Sequence, residues 1–215
     1  MSGSRGFYYN KCNDATRLAR EWTAVGLGTW SIGYDNTIGK FYYRCTTNGV
    51  GTWDQLINKS ILFGMPIEVY YLVRSDVAGG PRAGVQMKGG GDARADFDIG
   101  FHFHSGQIWL EATYATIAGW TSVVWPIIYA ANTWYHVRVR FDKFMKAKIW
   151  NYGTTEPDWA MSSYYRIPMP VGALTYRSRV QKGYLSIMVN QSGGSVINAD
   201  YSDIRITPIR KVGGP

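Results

Sequence analysis

Alternation of apolar and polar residues is clearest in the stretch FDIGFHFH, residues 97–104. Successive side chains of a β-strand point to opposite faces of a sheet. The four odd-numbered residues, Phe, Ile, Phe and Phe, are therefore predicted to face a core. Asp98, His102 and His104 are expected on the opposite face.

A second strand is predicted directly after this one. A Ser-Gly turn leads into QIWLEATY, residues 107–114, and the spacing is typical of an antiparallel hairpin. Residues opposite each other in such a pair lie on one face. We therefore expect Trp109 and Glu111 on the same outer face as His102 and His104.

The same alternation returns nearer the C-terminus. In WYHVRVRF, residues 134–141, the residues predicted to face outward are His136, Arg138 and Arg140. In KAKIW, residues 146–150, the outward set is Lys146, Lys148 and Trp150. Further strands are predicted at residues 67–73, 82–87, 183–189 and 196–206.

Composition supports strands rather than helices. Of 215 residues, 46% are hydrophobic and 18% charged, which excludes a disordered chain. There are 9 Trp, 16 Tyr, 8 Phe and 25 Gly, but only four Glu. Aromatic and β-branched residues favour strands, and glycine-rich turns recur between them. This composition excludes a coiled coil, a helical bundle and collagen.

Two short helical segments are predicted near the N-terminus. Leu18, Trp22 and Val25 follow helical spacing behind a possible cap at Asp14. Thr52 and Gln55 have the spacing of a capping box and predict one further turn.

Three motifs follow one another along the chain: NTWYHVRVRF at 132–141, KAKIW at 146–150 and EPDW at 156–159. Together with YSDIR at 201–205, they resemble the concanavalin A-like, or laminin-G-like, jelly-roll superfamily. In that superfamily the first two motifs form paired strands, and the third is a turn. The resemblance implies an all-β fold, a two-sheet antiparallel jelly-roll sandwich with one or two short helical turns.

The resemblance also divides the chain, which is expected to form a single domain. Residues 61–206 are the predicted jelly-roll core. Residues 1–60 are expected to supply a first strand and additional decoration, and residues 207–215 a C-terminal tail.

Charge and cysteine content restrict the partners. The net charge is +8, but no run of like charge is present, so a nucleic-acid-binding tail is not expected.

Cys12 and Cys45 have neither zinc-site nor disulfide-framework spacing; buried free thiols are the simpler interpretation, and a bridge stays open. No signal sequence and no apolar run of membrane-spanning length is present. We expect a chain made in a host cytoplasm without a signal peptide.

The carboxylates do not match a known catalytic pattern. The glucanase branch of the superfamily carries a Glu-x-Asp-x-x-Glu strand, and none of the four glutamates lies in that pattern. The pairs Asp96/Asp98 and Glu156/Asp158 are interpreted as features of turns. We therefore predict no catalytic residues and a protein that is not an enzyme, although carboxylates brought together by folding stay open.

Metal binding is not predicted. His102 and His104 could reach one ion, with His136 and Glu111 completing the site only if their strands are neighbours. A calcium ion is also possible, since laminin-G-like relatives often bind calcium, and its candidate ligands are Asp92, Asp96 and Asp98. A hydrophilic loop accounts for the same residues, so no cofactor is expected.

The predicted outer face is a candidate binding surface. Aromatic rings beside paired polar groups are typical of glycan sites, and Trp, Tyr and Arg also anchor protein interfaces. The alternative is that another subunit, or residues 1–60, covers this face. The predicted ligand-binding residues are His102, His104, Trp109, Glu111, His136 and Arg138.

The favoured functional hypothesis is a non-enzymatic virion structural protein, associated with a phage tail or capsid and located in the virion. Its expected partners are other virion proteins and copies of itself, with a cell-surface glycan as a further candidate and with neither nucleic acid nor membrane bound. A carbohydrate-binding lectin-like module is the first alternative. A glycoside hydrolase or lyase is the second.

Overall fold

Two antiparallel β-sheets pack face to face and form the protein. A computed structural model describes residues 8–50, 53–60, 63–64, 66–77, 82–88, 97–104, 107–114, 123–125, 130–141, 144–159, 164–168, 182–190 and 194–209. The predicted fold class, an all-β jelly-roll sandwich, is confirmed.

Within the described ranges, the first sheet contains eight strands. Its spatial order is β14 (Tyr164–Pro168), β13 (Phe144–Asn151), β12 (Tyr135–Phe141), β7 (Ile67–Ser75), β16 (Asn198–Pro208), β4 (Lys40–Thr46) and β3 (Thr29–Asp35), with β1 (Tyr8–Asn10) paired to β16.

The second sheet also contains eight strands. Its order is β11 (Val123–Trp125), β10 (Gln107–Tyr114), β9 (Phe97–His104), β8 (Arg82–Lys88), β15 (Lys182–Asn190), β5 (Trp53–Asn58) and β2 (Trp22–Val25), with β6 (Phe63–Gly64) paired to β15.

The core lies between the sheets, where alternate residues of the strands are buried. Along β12, burial alternates strictly from Tyr135 to Phe141, as the sequence predicts. Strand β7 buries Val69, Tyr71 and Val73 in the same way. The Tyr201 hydroxyl donates a hydrogen bond to the Met188 carbonyl, so a polar contact joins the two sheets.

The predicted hairpin at residues 97–114 is confirmed at the level of strand pairing. Strands β9 and β10 are antiparallel, with His102 opposite Trp109 and His104 opposite Gln107. The side chains of both strands lie outside the described part of the structure. The predicted outward direction of Trp109 and the two histidines therefore stays a prediction.

The predicted helix is shorter in the structure. Helix α1 spans Ala15–Glu21, and its Asp14 cap accepts from the Arg17 amide at 3.0 Å, as predicted. The prediction is wrong beyond Glu21, because Trp22 enters strand β2, where it is buried against the core. The helical turn predicted at Gln55 is also wrong: this residue lies inside β5, paired with both β2 and β15.

The first sixty residues contribute strands to both layers. Strands β1, β3 and β4 belong to the first sheet, and β2 and β5 to the second. The predicted boundaries at residues 60 and 206 stay predictions. Both cysteines are free thiols in the core. None of the described helices is long and apolar enough to cross a membrane.

Candidate functional site

A polar cleft lies on the face of the first sheet that points away from the core. Strand β12 buries every second residue and presents the others to this face, and it lies beside β7 and β13, while β16 follows β7 in the same sheet. The cleft has a volume of about 440 Å³, and its lining residues are Glu68, Tyr70, His136, Arg138, Trp150, Thr154, Glu156, Arg205 and Thr207. We call it the outer-face cleft.

One wall of the outer-face cleft is an aromatic stack. His136 and Trp150 are cross-strand partners, and their rings are stacked with centroids 4.9 Å apart and planes 15° apart. The Tyr152 ring also stacks on His136, at 5.1 Å and 16°. The stack presents a rigid, largely apolar surface with one polar ring in it.

Burial and a hydrogen bond with Tyr70 together determine which nitrogen of His136 carries a proton. The Tyr70 oxygen lies 2.6 Å from His136 Nδ1. Burial lowers the pKa of His136, although Glu156 and Asp203 act in the opposite direction, and burial raises the pKa of Tyr70 to about 12. A neutral imidazole and a protonated phenol follow, so the Tyr70 hydroxyl donates to Nδ1. The imidazole proton is then on Nε2, which is a donor.

The floor of the cleft is a network of charges around Arg138. Its Nη1 donates to Glu68 and its Nη2 pairs with Glu156, both at 3.0 Å. Arg140 makes a second bond to Glu68, at 2.6 Å. Among the described residues, the buried Nε of Arg138 has no acceptor.

The turn after β13 carries Glu156 into the cleft. Lys148 was predicted to face outward, and on that side of the strand it is buried beneath residues 156–159. Its Nζ donates to the Pro157 carbonyl at 2.7 Å, pairs with Glu156 and lies 4.6 Å from the Trp159 ring centre. The sequence predicts a turn at EPDW, whereas the turn after β13 lies at residues 152–154 and EPDW follows it as an irregular segment that positions a cleft carboxylate.

A small apolar cluster of Tyr42, Leu72 and Trp134 lies apart from the main core. Leu72, which lies opposite His136 in the sheet, is fully buried on the outer face by Tyr42 and Trp134. The Trp134 indole donates to Asp35 at 3.0 Å. The Tyr152 amide in the turn after β13 donates to the Trp134 carbonyl at 2.9 Å, so this cluster and the turn are in direct contact.

The structure does not bring the six predicted ligand-binding residues onto one sheet. His136 and Arg138 line the outer-face cleft. The other four, His102, His104, Trp109 and Glu111, belong to β9 and β10 of the second sheet. The expectation of one shared surface is wrong, because the chain crosses between sheets after β11, so that β12 pairs with β7 and β13. Ligand binding by any of the six stays a prediction.

The same crossing rules out one arrangement of metal ligands that the sequence left open. His136 is not on a strand that neighbours β9 or β10, so it cannot extend a His102–His104 pair within one sheet. Within the described ranges, no group of three or more His, Cys, Asp or Glu could hold an ion. The calcium candidates Asp92 and Asp96, and the side chain of Asp98, lie outside those ranges.

Sequence reasoning missed most residues of the cleft. Alternation along β7 and β16 would have placed Tyr70, Arg205 and Thr207 on an outer face. It would not have shown that these strands lie beside β12, because the Tyr70–His136 contact spans 66 residues. Glu156 could have been found from its position directly after the KAKIW strand.

Solved structures of other proteins share this fold over nearly the whole chain. The GH16 protein of the mixed linkage glucan PUL of Bacteroides ovatus, in complex with the product G4G4G3G, has 13% identity and a TM-score of 0.61, covering 93% of this chain and 99% of that chain. The apo Crh5 transglycosylase has 11% identity and a TM-score of 0.62, covering 97% and 87%. A legume lectin-like domain from Entamoeba histolytica has 14% identity and a TM-score of 0.58, covering 92% and 94%.

At these identities the likeness shows the fold alone, an antiparallel jelly-roll β-sandwich. No protein-family profile and no curated protein matches the sequence. The prediction that the chain is not an enzyme is contradicted, because several structures of this fold are glycanases or transglycosylases. The virion-associated type of the fold is not supported by these structures.

Proposed function

We propose that the protein is a carbohydrate-active jelly roll that holds a glycan in the outer-face cleft. The observation that carries the proposal is the stack of His136, Trp150 and Tyr152 beside fixed hydrogen-bonding groups. Sugar rings have apolar C–H faces and hydroxyl edges, so they bind where an aromatic surface adjoins ordered polar atoms.

The polar groups of the cleft suit hydroxyl recognition because neighbouring residues hold them in place. The Tyr70 hydroxyl orients His136, which leaves the Nε2–H group as a donor. Glu68 and Glu156 are held by Arg138 and retain further acceptor capacity, since an ionised carboxylate accepts about four bonds. Such preorganisation lowers the entropic cost of binding.

The aromatic stack gives the direct test. In Trp150→Ala, affinity for the best ligand of a polysaccharide panel is expected to fall about tenfold or more, since aromatic anchors contribute about 2 kcal/mol or more to binding. Affinity electrophoresis and calorimetry measure the change.

The matched control is Tyr34→Ala, which removes an aromatic ring that is 49% exposed and does not line the cleft. This variant is expected to bind within about twofold of the wild type. Unchanged affinity in Trp150→Ala, or a panel on which the wild-type protein binds nothing, would refute the proposal.

Glycoside hydrolysis is the second candidate function, and the favourable observation is the placement of Glu68 and Glu156 on either side of Arg138. Hydrolysis of a glycosidic bond by two carboxyl groups needs one to protonate the leaving oxygen and the other to act as base or nucleophile. Here the cleft brings together two glutamates that the sequence separates by 88 positions.

Release of reducing ends from β-glucans and other polysaccharides tests this candidate. If the wild type is active, Glu68→Gln and Glu156→Gln are each expected to lower the rate at least about a hundredfold. Asp158→Asn, in the same segment but exposed, is the control and should keep the rate. Absence of reducing ends from every polysaccharide would reject hydrolysis while leaving glycan binding intact.

The virion hypothesis stays a prediction, together with docking to virion proteins or to further copies of the chain. Glycan recognition in the cleft is compatible with a location on a particle. The Bacteroides ovatus and Entamoeba histolytica structures support a carbohydrate-directed role for the fold more directly than a particle-building one.

A further inference from the structure

We propose that the glycan is anionic and that Arg205 is the residue that selects its carboxylate or sulfate group. The inference rests on the proposed glycan-binding function of the outer-face cleft and assigns the class of sugar. It derives from the charges of the cleft, where the positive charge of Arg205 is only weakly paired with a carboxylate.

Each of the two carboxylates that line the cleft already forms ion pairs with two cationic side chains. Glu68 is bonded to Arg138 at 3.0 Å and to Arg140 at 2.6 Å. Glu156 is bonded to Arg138 at 3.0 Å and to Lys148. Among the described residues, the side chains lining the cleft and their bonded partners include five cations (Arg138, Arg140, Lys148, Lys40 and Arg205) and three carboxylates (Glu68, Glu156 and Asp203), so positive charge exceeds negative charge around the cleft.

Arg205 differs from the other cations in its surroundings. Its nearest carboxylate in the described structure, Asp203, is 3.5 Å away, at the limit of a hydrogen bond. That carboxylate is also engaged elsewhere, by Lys40 at 2.7 Å and the Tyr9 hydroxyl at 2.7 Å. The Arg205 side chain is 44% exposed at the edge of the cleft.

Two aromatic rings hold the Arg205 guanidinium in place. It lies 5.0 Å from the centre of the Tyr9 ring and 5.2 Å from that of Tyr70. Tyr70 in turn holds His136, so the guanidinium and the aromatic stack belong to one connected arrangement. A planar guanidinium binds a carboxylate or sulfate through two parallel hydrogen bonds, and holding it in advance reduces the cost of doing so.

Two matched pairs of polymers test the inference: polygalacturonate with its methyl ester, and dextran sulfate with dextran. The wild type is expected to bind at least one acidic polymer about tenfold or more tightly than its neutral partner. Preference for polygalacturonate would assign a uronate, and preference for dextran sulfate a sulfate ester.

Variants separate this selection from the general attraction of a protein with net charge +8 to polyanions. Arg205→Gln is expected to lose the preference, and Arg205→Lys to recover only part of it, since lysine lacks the two-pronged geometry. Arg20→Gln removes the same charge from helix α1, where the side chain is 70% exposed, and should keep the preference. Thermal unfolding verifies the fold of each variant.

Each outcome has a distinct meaning. Equal losses in Arg205→Gln and Arg20→Gln would show general attraction only and overturn the inference. Equal binding of acidic and neutral polymers by the wild type would also overturn it, while the proposed glycan-binding function would stand. Loss of the preference confined to the Arg205 variants would support it.

Discussion

At the scale of single residues, burial decides which protons the cleft holds. His136 is half-buried between Trp150 and Tyr70, and its environment disfavours the imidazolium form. Glu156 and Asp203 act to raise the pKa of His136 and Lys40 acts to lower it, but burial is the largest cause and the net direction is downward. The neutral ring is thus a consequence of packing rather than of residue type alone.

Folding stability is expected to fall as pH drops through the range in which histidine titrates. The pKa of folded His136 is lowered below its unfolded value of about 6.5, so the unfolded chain binds more protons in this range. Its contribution to stability is therefore complete at higher pH and is lost progressively below about pH 6.5. Urea unfolding of the wild type at pH 8, 7, 6 and 5 measures the slope.

His136→Gln is the comparison that isolates this residue from the two other histidines. The difference in unfolding free energy between wild type and variant should shrink as the pH is lowered from 7 to 5. A difference that stays constant over that range would show that His136 does not titrate between the folded and unfolded states.

At the scale of elements, the segment that follows β13, residues 152–159, depends on one buried lysine, Lys148. Lys148→Met is expected to reduce the unfolding free energy by about 2 kcal/mol, because it removes charge-assisted bonds to Glu156 and the Pro157 carbonyl. Urea unfolding measures the loss, and faster proteolysis within the segment should accompany it. Lys11→Met, at an exposed lysine, should change stability by less than about 0.5 kcal/mol.

The hairpin of β3 and β4 depends on a glycine that leaves room for an aromatic ring. A Cβ atom at Gly33 would lie 2.3 Å from the Tyr42 ring, which closes the apolar cluster with Leu72 and Trp134. Gly33→Ala is therefore expected to cost about 1–3 kcal/mol of stability, measured by urea unfolding. Ser31→Ala, exposed on the same face of β3, should have little effect.

A double variant examines the cause. If the collision with Tyr42 is responsible, Gly33→Ala should cost much less in a Tyr42→Ala background than in the wild type. Additive losses would show that backbone preference at residue 33, rather than the ring, is the reason.

Elements also show how far the sequence could predict this protein. Period-two patterning identified β9, β10, β12 and β13, because alternate burial is a local property of a strand. The helical spacing of Leu18, Trp22 and Val25 gave a wrong prediction at Trp22, because pairing with the distant strand β5 makes this residue part of a strand. Sequence order also suggested that β12 continues the sheet of β10, whereas the order of strands within the sheets depends on contacts between distant residues.

At the scale of the whole molecule, the candidate site is a product of topology. His136 and Arg138 were predicted as outward residues, but their partners come from β7 and β16, which no local pattern joins to β12. The sheets bury a continuous core that includes Tyr43, Tyr71 and Tyr201, and this core fixes which strands are neighbours. The cleft could therefore be predicted as a type of surface, but not as a set of residues.

The core also protects both thiols, and this gives a test of the packing as a whole. Cys12 and Cys45 are fully buried and free, and burial raises the pKa of each thiol well above its usual range. In the native protein, Ellman's reagent should therefore react with neither thiol over minutes, whereas both should react in urea.

Because no disulfide stabilises the fold, a reducing agent is expected to leave the unfolding temperature unchanged. An unfolding temperature lowered by a reductant would mean that the two cysteines are bridged. Rapid native labelling would mean that the core around β1 and β4 opens readily, and such a core could not hold the outer-face cleft in the fixed geometry on which glycan recognition depends.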